Sequence, residues 1–158
     1  MFHVVLHQPE IPPNTGNVMR LCANTATTLH LIHPLGFDLD EPLLRRAGLD
    51  YREWADVREH DSFDAWLAAV HPGRIVAFTR RAGTPHDGID YRPGDALLFG
   101  PESDGLDQAI LERPEIAALV RIPMVPRSRS LNLSNAVSVG LYEALRQQGF
   151  PDLATEGK

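Results

Sequence analysis

The apolar positions of this chain fall into short unbroken runs: His3-Val-Val-Leu-His7, Leu29-His-Leu-Ile-His33, Arg74-Ile-Val-Ala-Phe78, Asp95-Ala-Leu-Leu-Phe99 and Leu119-Val-Arg-Ile122, with a briefer one at 55–58. Such runs, rather than strict alternation, predict strands buried on both faces, as in a parallel sheet. Between them the periodicity turns helical, over 17–25, 42–47, 62–70, 106–112 and 132–148. Asn14, Thr15 or Asn17 is available to cap the first of these after a loop over 8–16. Pro42 opens the second and Gly48 follows it, while Pro72-Gly73 stops the third. The last helix has the clearest stripe. Leu133, Val137, Leu141 and Ala144 share one side; Asn135, Ser138, Tyr142 and Arg146 share the other, with Ala136 and Gly140 on the flank between. The expected fold class is α/β, a mostly parallel sheet with helices on both faces, in one domain over 1–158 with a tail that frays from about 151.

Three of the strands, ending at Phe78, Phe99 and Ile122, run directly into loops rich in Gly, Pro, Ser or Thr. In an open parallel sheet, ligands bind beyond the carboxyl ends of the strands, so these loops are expected to form one pocket. The third, Pro123-Met-Val-Pro-Arg-Ser-Arg-Ser130, joins hydroxyls and guanidinium forks with no acid among them. That set suits phosphates or nucleotides.

Composition narrows the picture. A net charge of −6 argues against a protein that coats nucleic acid non-specifically. The cations are arginines apart from Lys158, and they are grouped as Arg45-Arg46, Arg80-Arg81 and Arg121, Arg127, Arg129. Arginine favours bidentate contact with phosphate or carboxylate, so a local basic site on an acidic body is expected. No apolar run approaches the ~20 residues that cross a bilayer, no signal peptide is visible, and the lone Cys22 points to a reducing cytoplasm and a small core residue. Gly100-Pro-Glu-Ser-Asp-Gly105 lacks the Lys-Ser/Thr of a phosphate-binding loop of hydrolases. There is no Gly-x-Gly-x-x-Gly after the first strand and no Gly-x-Ser-x-Gly elbow. The pairs His3/His7 and His30/His33 read as strand or surface residues rather than metal ligands.

Asn14-Thr-Gly-Asn-Val-Met-Arg20, Gly100-Pro-Glu-Ser-Asp-Gly-Leu106 and Ile122-Pro-Met through Ser130-Leu-Asn-Leu-Ser-Asn135 resemble, in order and spacing, the three motifs of the SPOUT RNA methyltransferases. Further runs, from Pro9 to Gly16, Leu44 to Asp50 and Asn132 to Ser138, are similar to the small members that methylate the ribose 2′-hydroxyl of a tRNA wobble nucleotide, a cytidine or modified uridine. The resemblance spans about residues 3–149. It implies a deep carboxyl-terminal trefoil knot, an exception to unthreaded chains, with S-adenosylmethionine as donor, the tRNA anticodon arm as partner, a homodimer as working unit and no metal. The alternatives left open are the same chemistry on another tRNA or ribosomal RNA ribose, or a non-catalytic RNA-binding module.

By position, the resemblance assigns Phe78, Thr79, Gly100, Pro101, Glu102, Gly105, Ile122, Ser130, Leu131, Asn132 and Asn135 to the cofactor, and Arg20, Tyr142 and Asn14 to catalysis. Arg127 and Arg129 would hold the RNA backbone. A plainer reading makes Asn14 a helix cap and Glu102 a carboxylate that ties its own loop together. Asp104 departs from the family, whose members are often basic or neutral there, and bears on the tightness of RNA binding more than on the chemistry.

Overall fold

A computed structural model describes residues 1–40, 42, 45 and 56–157. The strands are β1 (His3–His7), β2 (Thr28–Ile32), β3 (Val57–His60), β4 (Arg74–Phe78), β5 (Thr84–Pro85), β6 (Asp95–Phe99) and β7 (Ile116–Arg121). The helices are α1 (Pro12–Asn24), α2 (Phe63–Val70), α3 (Gln108–Leu111) and α4 (Leu133–Gln147). The strands form one sheet in the order β3-β2-β1-β6-β4-β7-β5, and every pair is parallel. The expected helix over 42–47 lies outside the described residues except for Pro42 and Arg45, which are helical.

Period-two side-chain geometry divides the apolar strand residues between two layers. Val4, Leu6, Leu29, Leu31, Val76 and Leu97 pack against Val18, Met19 and Cys22 of α1 and Val137, Leu141 and Ala144 of α4. Val5, Ile32, Ile75, Ala77, Ala96 and Leu98 pack against Phe63 and Trp66 of α2 and Leu111 of α3. Both faces of the sheet are therefore covered. Cys22 lies fully inside the first layer, where burial pushes its thiol up to about 12, so it serves as a packing residue and not a nucleophile. At the opposite end of the sheet from the loops, Arg74 of β4 forks onto the buried carboxylate of Asp95 of β6, with its Nε 2.9 Å from Oδ1 and its Nη2 2.6 Å from Oδ2.

Several boundaries differ from those the sequence predicts: β7 runs over Ile116–Arg121 rather than 119–122, β3 over Val57–His60 rather than 55–58, and α3 over Gln108–Leu111 rather than 106–112. Helix α1 begins at Pro12, not near Asn17, and its N-cap residue Ile11 makes no side-chain cap. Proline at the first helical positions costs no hydrogen bond there, so Pro12-Pro13 opens a helix where it reads as loop. Asn14 and Thr15 are consequently buried inside the helix rather than capping it. The expected loop after β4 contains β5, which pairs with Val120 and Arg121.

Helix α4 keeps its expected stripe, with Leu133, Val137, Leu141 and Ala144 all buried and Asn135, Tyr142 and Arg146 exposed. Its end is laced to the segment before β6. The Tyr91 amide donates to Gln147 Oε1 at 2.9 Å, Gln147 Nε2 donates to the Ile89 carbonyl at 3.1 Å, and Gln148 Nε2 donates to the Tyr91 carbonyl at 2.8 Å. Gly140 sits where α4 crosses the Phe78 ring: a Cβ there would lie 2.7 Å from Phe78 Cζ, inside any normal carbon contact.

Candidate active site

The loops after β4, β6 and β7 converge on one cleft of about 1260 Å³, joined by the start of α1. That exceeds the ~300–1,000 Å³ of a typical single small-molecule site, which leaves room for a nucleoside and part of a second ligand. Of the residues singled out in the sequence, Asn14, Phe78, Thr79, Gly100, Pro101, Glu102, Gly105, Ile122, Arg127, Arg129, Ser130, Leu131 and Asn132 all line it. Arg20, Asn135 and Tyr142 do not. Arg20 is exposed on α1, and Tyr142, 46% exposed, lies on the outer face of α4.

The loops are held together by a chain of side-chain hydrogen bonds. The Glu102 carboxylate accepts from the Glu10 amide at 2.7 Å, the Ile11 amide at 3.0 Å and Asn14 Nδ2 at 3.2 Å. These amides belong to the open start of α1, which has no intrahelical partner for them, so Glu102 performs the capping that α1 lacks in its own sequence. Asn14 Oδ1 in turn accepts from Asn132 Nδ2 at 2.8 Å. Asn132 Oδ1 caps α4, accepting from the Ser134 amide at 2.9 Å and the Ser134 hydroxyl at 2.6 Å. A second tie runs from Ser103, whose hydroxyl and amide donate to the Glu10 carboxylate at 2.7 and 3.2 Å. Glu102 thus binds the loop after β6 to the start of α1, not its own loop to itself.

The walls are backbone. A Cβ on Gly100 would run into the Gly105 and Leu106 main chain, and Gly105 itself has φ +70. Both positions need glycine for the loop to fold back this tightly. The Thr79 amide donates to the Val120 carbonyl at 2.9 Å, pinning the first loop to the last strand. Phe78 and Phe99, stacked with centroids 4.5 Å apart, also line the cleft. An apolar aromatic surface beside main-chain amides and hydroxyls is a fit for the purine and ribose of a nucleoside.

The rim is cationic. Arg80, Arg81 and Arg121 line the cleft together with Arg127 and Arg129. The sequence groups these arginines but points to a role only for the last two. Being spread over separate segments, the rest carry no spacing that would place them at one mouth. Met124 and the 75% exposed Val125 stand in the same rim.

Known proteins of this shape and sequence give the arrangement its context. The tRNA (cytidine(34)-2'-O)-methyltransferase of Aeromonas hydrophila subsp. hydrophila is 54% identical over 150 residues, covering 95% of this chain and 96% of that one. A solved structure described as giving insights into the 2-OH methylation of C/U34 on tRNA superposes with a TM-score of 0.87 at 51% identity, over 94% of this chain and 97% of the other. The SpoU methyltransferase AviRb of Streptomyces viridochromogenes, solved in complex with the cofactor AdoMet, matches with a TM-score of 0.77 at 25% identity, over 92% of this chain and 60% of that one. With its residues 1–142 matching the family as a whole, the chain belongs to the SpoU rRNA Methylase family.

Proposed function

We propose that this protein transfers a methyl group from S-adenosylmethionine to the ribose 2′-hydroxyl of the wobble nucleotide in the tRNA anticodon loop. The observation that carries the reading is the single cleft built by the three motif loops and locked by the Glu102–Asn14–Asn132 chain. More than nine-tenths coverage of relatives bearing that activity supports the choice of reaction and target.

The residues present fit S-adenosylmethionine: main-chain groups around Gly100, Gly105 and Ile122 face the cleft beside the Phe78–Phe99 pair, and the lining carboxylate Glu102 is already spent on the protein. When bound, the donor supplies an already activated sulfonium methyl, so the protein's task is alignment and proton management. Phe78, Thr79, Pro101, Ser130 and Leu131 shape the nucleoside pocket. Arg127 and Arg129 hold the RNA backbone. Arg20 grips the phosphate beside the reacting ribose and stabilises the developing alkoxide; a guanidinium stays protonated near neutrality and serves poorly as a base. Tyr142 positions the hydroxyl and relays its proton to bulk water.

Arg20 and Tyr142 lie outside the cleft of their own chain, which supports a homodimer in which they serve the cleft of the second copy. The exposed Val139 and Tyr142 give α4 an apolar patch for that contact. The knotted tail of the family is part of this reading, with the end of α4 laced to residues 89–91. Among the described residues no helix is long and apolar enough to cross a membrane, in keeping with work on tRNA in the cytoplasm. The test compares tRNA from cells with and without the protein. Loss of 2′-O-methylation at the wobble ribose alone is expected; an unchanged wobble ribose would remove the assignment.

A further inference from the structure

The arginines that line the cleft differ in their pairing from several of those described away from it. Away from the cleft, four are paired with acids: Arg58 with Asp56 at 2.8 Å, Arg74 with Asp95 at 2.6 Å, Arg113 with Asp64 at 2.6 Å, and Arg146 with Glu143 at 2.8 Å. At the cleft, Arg80, Arg121, Arg127 and Arg129 have no acidic partner among the described residues, and the Arg81 guanidinium donates to the neutral Gln108. The chain carries 21 acidic residues against 15 basic ones, so acids for pairing are not scarce. The cleft lining includes two acids, Glu102, which is engaged with the start of α1, and Asp104. Unpaired guanidiniums gathered around one mouth repel each other and gain only when a polyanion arrives.

We infer that Arg80, at the carboxyl end of β4, and Arg121, at the end of β7, form with Arg127 and Arg129 one continuous track for the sugar-phosphate backbone of the RNA. The inference rests on the proposed RNA substrate and goes beyond it by naming contacts outside the Arg127–Arg129 loop. The topology sets the track: β4 and β7 are adjacent in the sheet, so their ends bring the 80–81 turn and the 121–129 loop to the same side of the cleft. Arginine forks there read phosphates, which position the RNA without reading its bases. The target nucleotide then enters between this track and the nucleoside pocket.

The experiment measures binding of an anticodon stem–loop RNA to protein loaded with S-adenosylhomocysteine, as a function of salt. Arg80→Gln and Arg121→Gln are compared with wild type and with Arg92→Gln, an exposed arginine outside the cleft. Removing one arginine–phosphate pairing lowers the slope of log affinity against log salt by about 0.7–0.9. The first two variants are each expected to show a slope reduced by that much and to bind several-fold more weakly at low salt. Arg92→Gln is expected to keep the wild-type slope, and calorimetric affinity for S-adenosylmethionine is expected to stay unchanged in all three. Wild-type slopes in both Arg80→Gln and Arg121→Gln would overturn the track. So would a loss of S-adenosylmethionine binding in either, which would move that arginine into the nucleoside pocket. Wild-type protein that binds the donor but no RNA would instead strike at the proposed substrate.

Discussion

Asn14 and Asn132 are 118 positions apart in the chain, and the amide of one hydrogen-bonds the carbonyl of the other at 2.8 Å. Each also uses its second polar atom: Asn14 donates to Glu102, and Asn132 caps α4. The start of α1, the loop after β6 and the start of α4 are therefore registered by two side-chain amides and one carboxylate. Each of these groups is already engaged in holding the loops in place, so Asn14 is expected to act as a positioning residue.

Asn14→Ala leaves Asn132 Nδ2 and one lone pair of Glu102 without their partner at a 5% exposed site. The expected cost is about 1–3 kcal/mol of stability, read by urea unfolding, together with weaker S-adenosylmethionine binding. Asn14→Asp sets a second carboxylate against Glu102 and is expected to be worse than alanine at neutral pH. An Asn14→Ala protein with wild-type stability and affinity would show the relay to be incidental.

Gly140 lets α4 lie against the Phe78–Phe99 pair, which lines the cleft on its other side. Gly140→Ala places a methyl 2.7 Å from Phe78 Cζ and pushes the ring toward the cleft. Overpacking of this kind costs about 1–3 kcal/mol, and affinity for S-adenosylmethionine is expected to drop. Adding Phe78→Leu relieves the clash and is expected to restore much of the binding. Failure of the double variant to recover would mean that the helix, not the ring, had moved.

Arg20 and Tyr142 separate binding from chemistry. Arg20→Lys keeps the charge and is expected to retain partial turnover, whereas Arg20→Ala loses nearly all of it with donor binding intact. A lysine variant as inactive as the alanine one would assign Arg20 a bidentate or base role. Tyr142→Phe is expected to lower kcat with little change in KM; unchanged kcat would remove the phenol from the mechanism.

A row of histidines centred on the buried His30 predicts the protein's response to acid. His30, fully buried under Trp66, has Nε2 3.0 Å from His3 Nδ1 and Nδ1 3.0 Å from His60 Nε2. Neutral His30 has one N–H, so it can accept from one neighbour while donating to the other, but not from both. Burial, with the neighbouring imidazoles and Arg58, pushes it down to about 3, against 6.5 in the open chain. Between those values the unfolded state binds more protons, so stability falls as pH drops from about 6.5 toward 3. His30→Leu is expected to flatten this slope without abolishing it, because burial also lowers His7. Urea midpoints at neutral and mildly acidic pH decide it; a variant with the wild-type slope would contradict the assignment.

Legibility in the sequence varied with how local the cause was. Strands β4 and β6 were readable to their end residues, and α4 to within one, because continuous apolar runs and a clean stripe are local signals. The true start of α1 was not, since its amides are satisfied by Glu102, 91 positions from Ile11. Strand β5 is two residues long and ends in proline, too short to show a pattern. The cleft itself was legible from three loops at strand ends. That Arg20 and Tyr142 stand outside it was not, because helical phase tells which side of a helix a residue occupies and nothing about what that side faces.

The central claim is that this cleft directs a methyl group to one ribose oxygen. Purified protein, isotopically labelled S-adenosylmethionine and full-length tRNA, followed by nucleotide-resolved mass spectrometry, test it most directly. The expected result is label on the 2′-oxygen of the wobble nucleotide, absent with Arg20→Ala. Label on a base, or on a ribose outside the anticodon loop, would contradict the account.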